Sequence, residues 1–171
     1  MKIYMKRCFL PILIMMVVMM GCGKTQSGLA QYKAQAAIDD KIVANYIAQN
    51  NLTGIAQKVS DTCGVYYVVV NPGQGSDLFT LSTQVTVSYV GKLLSTGQVF
   101  GRTDSATFTP SYILGQTIRG WQLGIPKIEK GGEVRLLVPS RYAYGPYAQP
   151  HLGLPANAIL DFDIKLYNIT N

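Results

Sequence analysis

The residues of this chain best suited to chemistry are aromatic. Its single tryptophan, Trp121, closes the tetrapeptide Ile118-Arg119-Gly120-Trp121, and a tyrosine-rich turn, Tyr142-Ala143-Tyr144-Gly145, follows further along. Proton transfer and nucleophilic attack find few hosts: one histidine (His151), one internal cysteine (Cys63) and no clustered carboxylates. A zinc site wants several His or Cys ligands. A triad-type hydrolase needs a base, and only His151 is available. Gly73-Gln74-Gly75 lacks the spacing and the strand-helix context of a phosphate loop. No metal and no cofactor is therefore expected. What such a set can do is hold a substrate in an aromatic pocket and act by shape and desolvation.

At 171 residues the chain is long enough for one core and short for two. Charged residues make up only 14%, which argues against a disordered chain, and no basic run with interleaved aromatics suggests nucleic acid. The net charge of +6 overstates the folded part, because Lys2, Lys6 and Arg7 are three of the fifteen basic residues and no acid accompanies them in the first 21 positions. These three form a positive n-region ahead of the apolar run Phe9 to Met20. That run is shorter than the ~18–20 residues that span a bilayer, and it fits a signal-peptide h-region. It ends in Met19-Met20-Gly21-Cys22, which resembles the lipobox of bacterial lipoproteins. Residues 1–21 are read as a lipoprotein signal peptide, Cys22 as the lipidated first residue of the mature chain, and 22–28 as a tether. Acyl chains such as palmitate, at ~0.8 kcal/mol per buried CH₂, would hold the protein on a membrane. The expected location is the bacterial cell envelope, at the outer membrane facing the periplasm if the cell is Gram-negative. With Cys8 lost and Cys22 modified, Cys63 has no disulfide partner and is expected to be a small buried or half-buried residue.

The elements that must position the aromatics read as follows. From Leu29 to Asn50 the pattern is helical, with Ala34, Ile38, Ile42 and Tyr46 at i+4 steps and Val43 and Ile47 widening the stripe. Packing on the chain's own domain and pairing into a homodimer are both open to this face. Beyond Gly64 the period becomes two: Val65 to Val70, then Val85, Val87 and Tyr89 alternating with Thr86 and Ser88 to about Leu94. Ser95-Thr96-Gly97 turns into Gln98-Val99-Phe100, and Tyr112 to Leu114 is a short strand. Ile118 to Ile125 is a short helix limited by Pro126. Glu133 to Pro139 is a strand, and Leu160, Phe162, Ile164 and Leu166 alternate with Asp161, Asp163 and Lys165 in another. The result is a mostly antiparallel β domain with one internal short helix and a separate N-terminal helix.

The ordered motifs resemble the FKBP-type peptidyl-prolyl cis-trans isomerases over roughly Thr83 to Ile169. Those motifs are Val85 to Leu93, Gly97-Gln98-Val99-Phe100, Leu114 to Trp121, Gly131 to Leu136, Pro139-Ser140, Tyr142-Ala143-Tyr144-Gly145 and Leu154 to Asp163. The resemblance implies an α+β fold, a twisted antiparallel half-barrel wrapped around a short central helix. It assigns 64–171 to the isomerase domain and leaves 29–63 as a helical extension. It implies that Trp121 forms a pocket floor beneath a proline ring, with Tyr89, Phe100 and Phe162 as walls, Ile118 and Leu154 at the rim, and Thr117 also touching substrate. The Ile118 N–H and the Tyr144 hydroxyl would donate to substrate carbonyls. The expected partners are proline-containing folding polypeptides and, through Cys22, a membrane.

One departure bears on function. Where the family usually carries an aspartate after the phenylalanine, this chain has Gly101, followed by Arg102 and then Asp104. Asp104 is a candidate replacement. If nothing takes the aspartate's place, the Tyr89 hydroxyl lacks a partner, and the alternative reading is a catalytically weakened chaperone or binding module with the isomerase fold. The loop Pro146 to Gly153, which holds His151, reads as one residue longer than in small family members.

Overall fold

The computed structural model describes residues 28–103 and 109–171. The signal peptide, Cys22, most of the tether and Asp104 lie outside the described residues. Helix α1 (Gly28–Gln49) is followed by β1 (Gln57–Lys58), β2 (Tyr66–Asn71), β3 (Gln84–Leu93), β4 (Val99–Arg102) and β5 (Ser111–Ile113). Helix α2 (Arg119–Gly124), β6 (Glu133–Val138) and β7 (Leu160–Thr170) complete the chain. The strands form one antiparallel sheet in the order β1-β2-β6-β7-β3-β4. β5 shares the outer edge of β3 with β4: Gln84 to Thr86 pair with β5, and Val90 to Lys92 pair with β4.

The period-two pattern decides which face each strand buries. Val85, Val87, Val134, Leu136, Val138, Leu160, Phe162, Ile164 and Leu166 point to one face and pack around α2 with Trp121, Ile125 and Ile128. Gly120 and Gly124 let this helix lie close on β6, since a Cβ at either would stand 2.5 Å from a Val138 or Leu136 methyl. Pro126 does not end the helical path at once. It sits near the start of a 3₁₀ turn, Ile125–Lys127, that continues α2, a position where its missing N–H is tolerated.

α1 packs on its own domain through one edge of the stripe expected for it. Val43 and Ile47 enter a second cluster with Leu94, Leu137 and Ile159, on the opposite face of β6 from Leu136 and Val138. Asp39 continues this buried line one turn earlier, while Ile38 and Ile42 are 52% and 42% exposed. A hydrophobic count favours Ile38 and Ile42. The buried line instead runs through a carboxylate, because polar partners await it at the start of the Ser140–Tyr142 turn. The segment assigned to a helical extension also enters the sheet, since β1 pairs with β2 and Val59 N–H donates to the Val65 carbonyl.

Asp161 is the other buried acid, 4% exposed, although alternation places it on the outer face of β7. Arg135 covers it with two hydrogen bonds, from Nε to Oδ1 (2.9 Å) and from Nη2 to Oδ2 (2.7 Å). The same Nη2 donates to the Tyr46 hydroxyl of α1 at 2.7 Å. Helix and sheet are thus joined by a polar bridge as well as by Val43 and Ile47.

Candidate active site

The site lies where β3, β4, β5 and β7 curve over α2. Trp121, 5% exposed, receives three rings edge-on: Tyr89 at 5.1 Å and 78°, Phe162 at 5.5 Å and 80°, and Tyr112 at 5.7 Å and 86°. Phe100 stands edge-on to Phe162 at 5.6 Å. Such T-shaped pairs are each worth ~0.5–1.5 kcal/mol beyond the area they bury, so the rings hold one another in place. Above them is a cleft of about 320 Å³ lined by Tyr89, Phe100, Gly101, Tyr112, Gln116, Thr117, Ile118, Trp121, Tyr144, Leu152 and Phe162. Among the described residues its wall carries no carboxylate, imidazole, ammonium or guanidinium group. A second cleft, about 600 Å³, lies elsewhere, between α1 and the Ser140–Pro146 turn.

Ile118 caps α2 in extended geometry (φ −60°, ψ 150°), where a backbone N–H has no intrahelical acceptor. The Trp121 Nε1–H is buried and makes no hydrogen bond among the described residues. Burial, and secondarily the charge of Tyr89, raises the Tyr144 pKa. Tyr112 is raised by burial first and then by the neighbouring Tyr89. Both tyrosines therefore stand as neutral O–H groups at physiological pH.

The structure brings Tyr89, Phe100, Thr117, Ile118, Trp121, Tyr144 and Phe162 together around one cleft. Leu154 is a correction: it is 3% exposed and belongs to the core. Reciprocal backbone bonds with Gln149 turn it inward, and the 3₁₀ turn Pro150–Leu152 brings Leu152 to the cleft instead. His151 is exposed on that turn and does not line the cleft. Tyr112, Gln116 and Gly101 complete the lining. Tyr112 is half-buried between exposed Ser111 and Ile113 on β5, a placement that the pairing of β5 with β3 decides. Cys63 is buried and free, 7% exposed.

An open antiparallel sheet closed over a short helix carries this aromatic cleft, whose titratable groups among the described residues are tyrosine hydroxyls. The model of the FKBP-type peptidyl-prolyl cis-trans isomerases matches residues 77–167, and the chain belongs to that family. Isomerase is the enzyme class this membership gives. FK506-binding protein 1 of Saccharomyces cerevisiae is 37% identical over 102 residues, covering 58% of this chain and 88% of that protein. The FKBP-type isomerase FkpA of Buchnera aphidicola is 34% identical over 108 residues, covering 63% of this chain and 42% of that protein. Among solved structures, FkpA from Escherichia coli superposes with a TM-score of 0.66 at 30% identity, over 83% of this chain and 64% of that one. A peptidyl-prolyl isomerase from Pseudomonas syringae superposes with the same TM-score at 24% identity, over 81% of this chain and 96% of that one.

Proposed function

We propose that this chain isomerises Xaa-Pro bonds of exported polypeptides by binding the twisted amide in the Trp121 cleft, without covalent chemistry. Amide rotation faces a barrier of ~18–20 kcal/mol set by resonance, whereas cis and trans X-Pro forms differ by only ~0.5–1 kcal/mol. A catalyst needs only to bind the twisted amide better than either planar form. Twisting removes resonance and lowers the polarity of the carbonyl, so an apolar surround favours it. The observation that carries this reading is a lining of aromatic and neutral side chains around the nearly buried Trp121. In this mechanism Trp121 lies under the proline ring, with Tyr89, Phe100 and Phe162 as walls. Thr117, Ile118 and Leu152 line the mouth. The Ile118 N–H and the Tyr144 O–H hold substrate carbonyls while the bond turns. The test is cis/trans exchange of an Xaa-Pro peptide by NMR: Trp121→Ala is expected to lose most of the rate, and an unchanged rate would sink the mechanism.

Gly101 favours a second reading, a chaperone or binding module with weakened catalysis, because it stands at the cleft wall beside Tyr89 with no carboxylate to offer. High activity of the natural chain would dispose of it.

Export and anchoring rest on the leader and on Cys22, with lipidation placing the protein in the cell envelope. Mass spectrometry of the mature N-terminus tests this, and an unmodified Cys22 overturns it. Exposed Leu29, Tyr32, Ile38 and Ile42 on α1 support a homodimer through that helix. Sedimentation of the wild type beside Ile38→Glu tests this: a monomer in both cases removes it.

A further inference from the structure

We propose that Asp39, on a helix outside the segment matched by the family model, is a positioning residue for the isomerase, fixing through Ser140 the turn that presents Tyr144 to the cleft. The inference rests on the reading of Tyr144 as a substrate donor.

Asp39 is fully buried, at 0% exposure. A carboxylate in that setting is tolerated only when its lone pairs are met by donors. Three meet it: the Ser140 backbone N–H at 2.9 Å, the Ser140 Oγ–H at 2.6 Å and the Gln35 Nε2–H at 2.7 Å. Two of the three come from one residue distant in sequence, where β6 ends and the 3₁₀ turn Ser140–Tyr142 begins. The N–H groups at the start of a helical turn have no partner of their own. Asp39 therefore caps this turn from another element.

Ser140 transmits the contact onward. Its carbonyl accepts from Ala143 N–H at 2.9 Å and from Gly145 N–H at 2.8 Å, the residues on either side of Tyr144. The path Asp39, Ser140, Ala143 and Gly145 consists of direct hydrogen bonds, and it ends at the backbone that carries the Tyr144 side chain into the cleft. Arg141 strengthens the same junction by donating to Asp40 Oδ1 at 2.7 Å and to the Ala36 carbonyl at 3.2 Å. A side chain at Gly64 would run into both Arg141 and Asp40, so this part of the joint also depends on glycine there.

The experiment is a double-mutant cycle on the full chain in detergent, read as kcat/KM for an Xaa-Pro peptide. Asp39→Ala is expected to lower kcat/KM about tenfold in the wild-type background and less than about twofold in a Tyr144→Phe background, because residues acting as a unit are not additive. Asp39→Asn, which keeps an acceptor oxygen, should recover much of the loss. Val43→Ala loosens the same helix without touching Ser140 and should stay within about twofold of wild type. If Asp39→Ala does not fold, Ser140→Ala, which deletes only the Oγ–H donor, takes its place in the cycle. Factors that multiply in the two backgrounds, or a loss from Val43→Ala as large as that from Asp39→Ala, overturn the proposal. Tyr144→Phe with full activity would instead remove the donor reading of Tyr144, and this proposal with it, so the two failures are told apart.

Discussion

A Cβ built on Gly101 stands 3.3 Å from the Tyr89 hydroxyl. An aspartate at this position would point its carboxylate at that oxygen. In this chain the neighbouring polar side chain of the same cleft wall is Tyr112, on β5.

Replacing Gly101 by aspartate should change kcat/KM by no more than about threefold, since it leaves the aromatic lining of the cleft in place. The 3.3 Å approach also requires Tyr89 to give way by a few tenths of an ångström. NMR exchange rates of both proteins decide it. A large gain would mark the natural chain as catalytically weakened.

Tyr112→Phe keeps the ring that stands edge-on to Trp121 and removes only the hydroxyl. Removing a polar neighbour of the Tyr89 hydroxyl from a partly buried site costs about 1 kcal/mol. We expect a loss of roughly threefold to tenfold in kcat/KM with little change in fold. Adding Gly101→Asp to this variant should restore part of the rate. No restoration would show that the two residues do not serve the same hydroxyl.

Arg135 and Asp161 join α1 to the sheet, with the Asp161 side chain 5% and the Arg135 side chain 24% exposed. The hydrogen bonds that Arg135 donates to Asp161, above all, hold the guanidinium pKa above its ordinary value. Asp161→Ala is expected to destabilise the protein by about 1–3 kcal/mol, below the full cost of a buried unpaired charge because Arg135 reaches water. Arg135→Lys should lose much of this too, since an ammonium cannot reproduce the two-point contact. Urea midpoints at an unchanged m-value are the measurement.

The pH dependence follows from tyrosine. Tyr112 and Tyr144 both have folded pKa values raised above their ordinary value of 10.0 by burial, with Tyr89 adding to each. The folded state then holds these protons more tightly than the unfolded chain. Stability from the neutral hydroxyls is complete below about pH 10 and is lost as pH rises through the raised values. Activity should accordingly be level between about pH 6 and about pH 9, and alkaline unfolding should set in earlier in the wild type than in Tyr112→Phe, relative to each protein's neutral stability. A bell-shaped profile near neutrality would point to an ionising group in catalysis.

Most of the sheet was legible in the sequence, because alternation in β3 and β7 reports directly which side chains share a face. The aromatic site was legible for a different reason. Trp121, Tyr144, Phe100 and Phe162 sit in motifs whose order along the chain carries the resemblance. Leu154 failed where the pattern says nothing: whether Leu152 or Leu154 reaches the cleft depends on a backbone pairing with Gln149 inside an irregular loop.

By itself the sequence determined the composition of the site, aromatic and poor in ionisable groups, and with it the kind of chemistry within reach. Only the tertiary structure decided how two distant elements complete it. No local period shows that Tyr112 faces Tyr89, since that requires β5 to pair with β3. Hydropathy places Ile38 and Ile42 with Val43 and Ile47 on the docking face of α1, yet Asp39 is buried and the first two are exposed. The physical reason is the same in both cases: a polar group's place depends on its partner, and here the partner is supplied by a distant part of the chain.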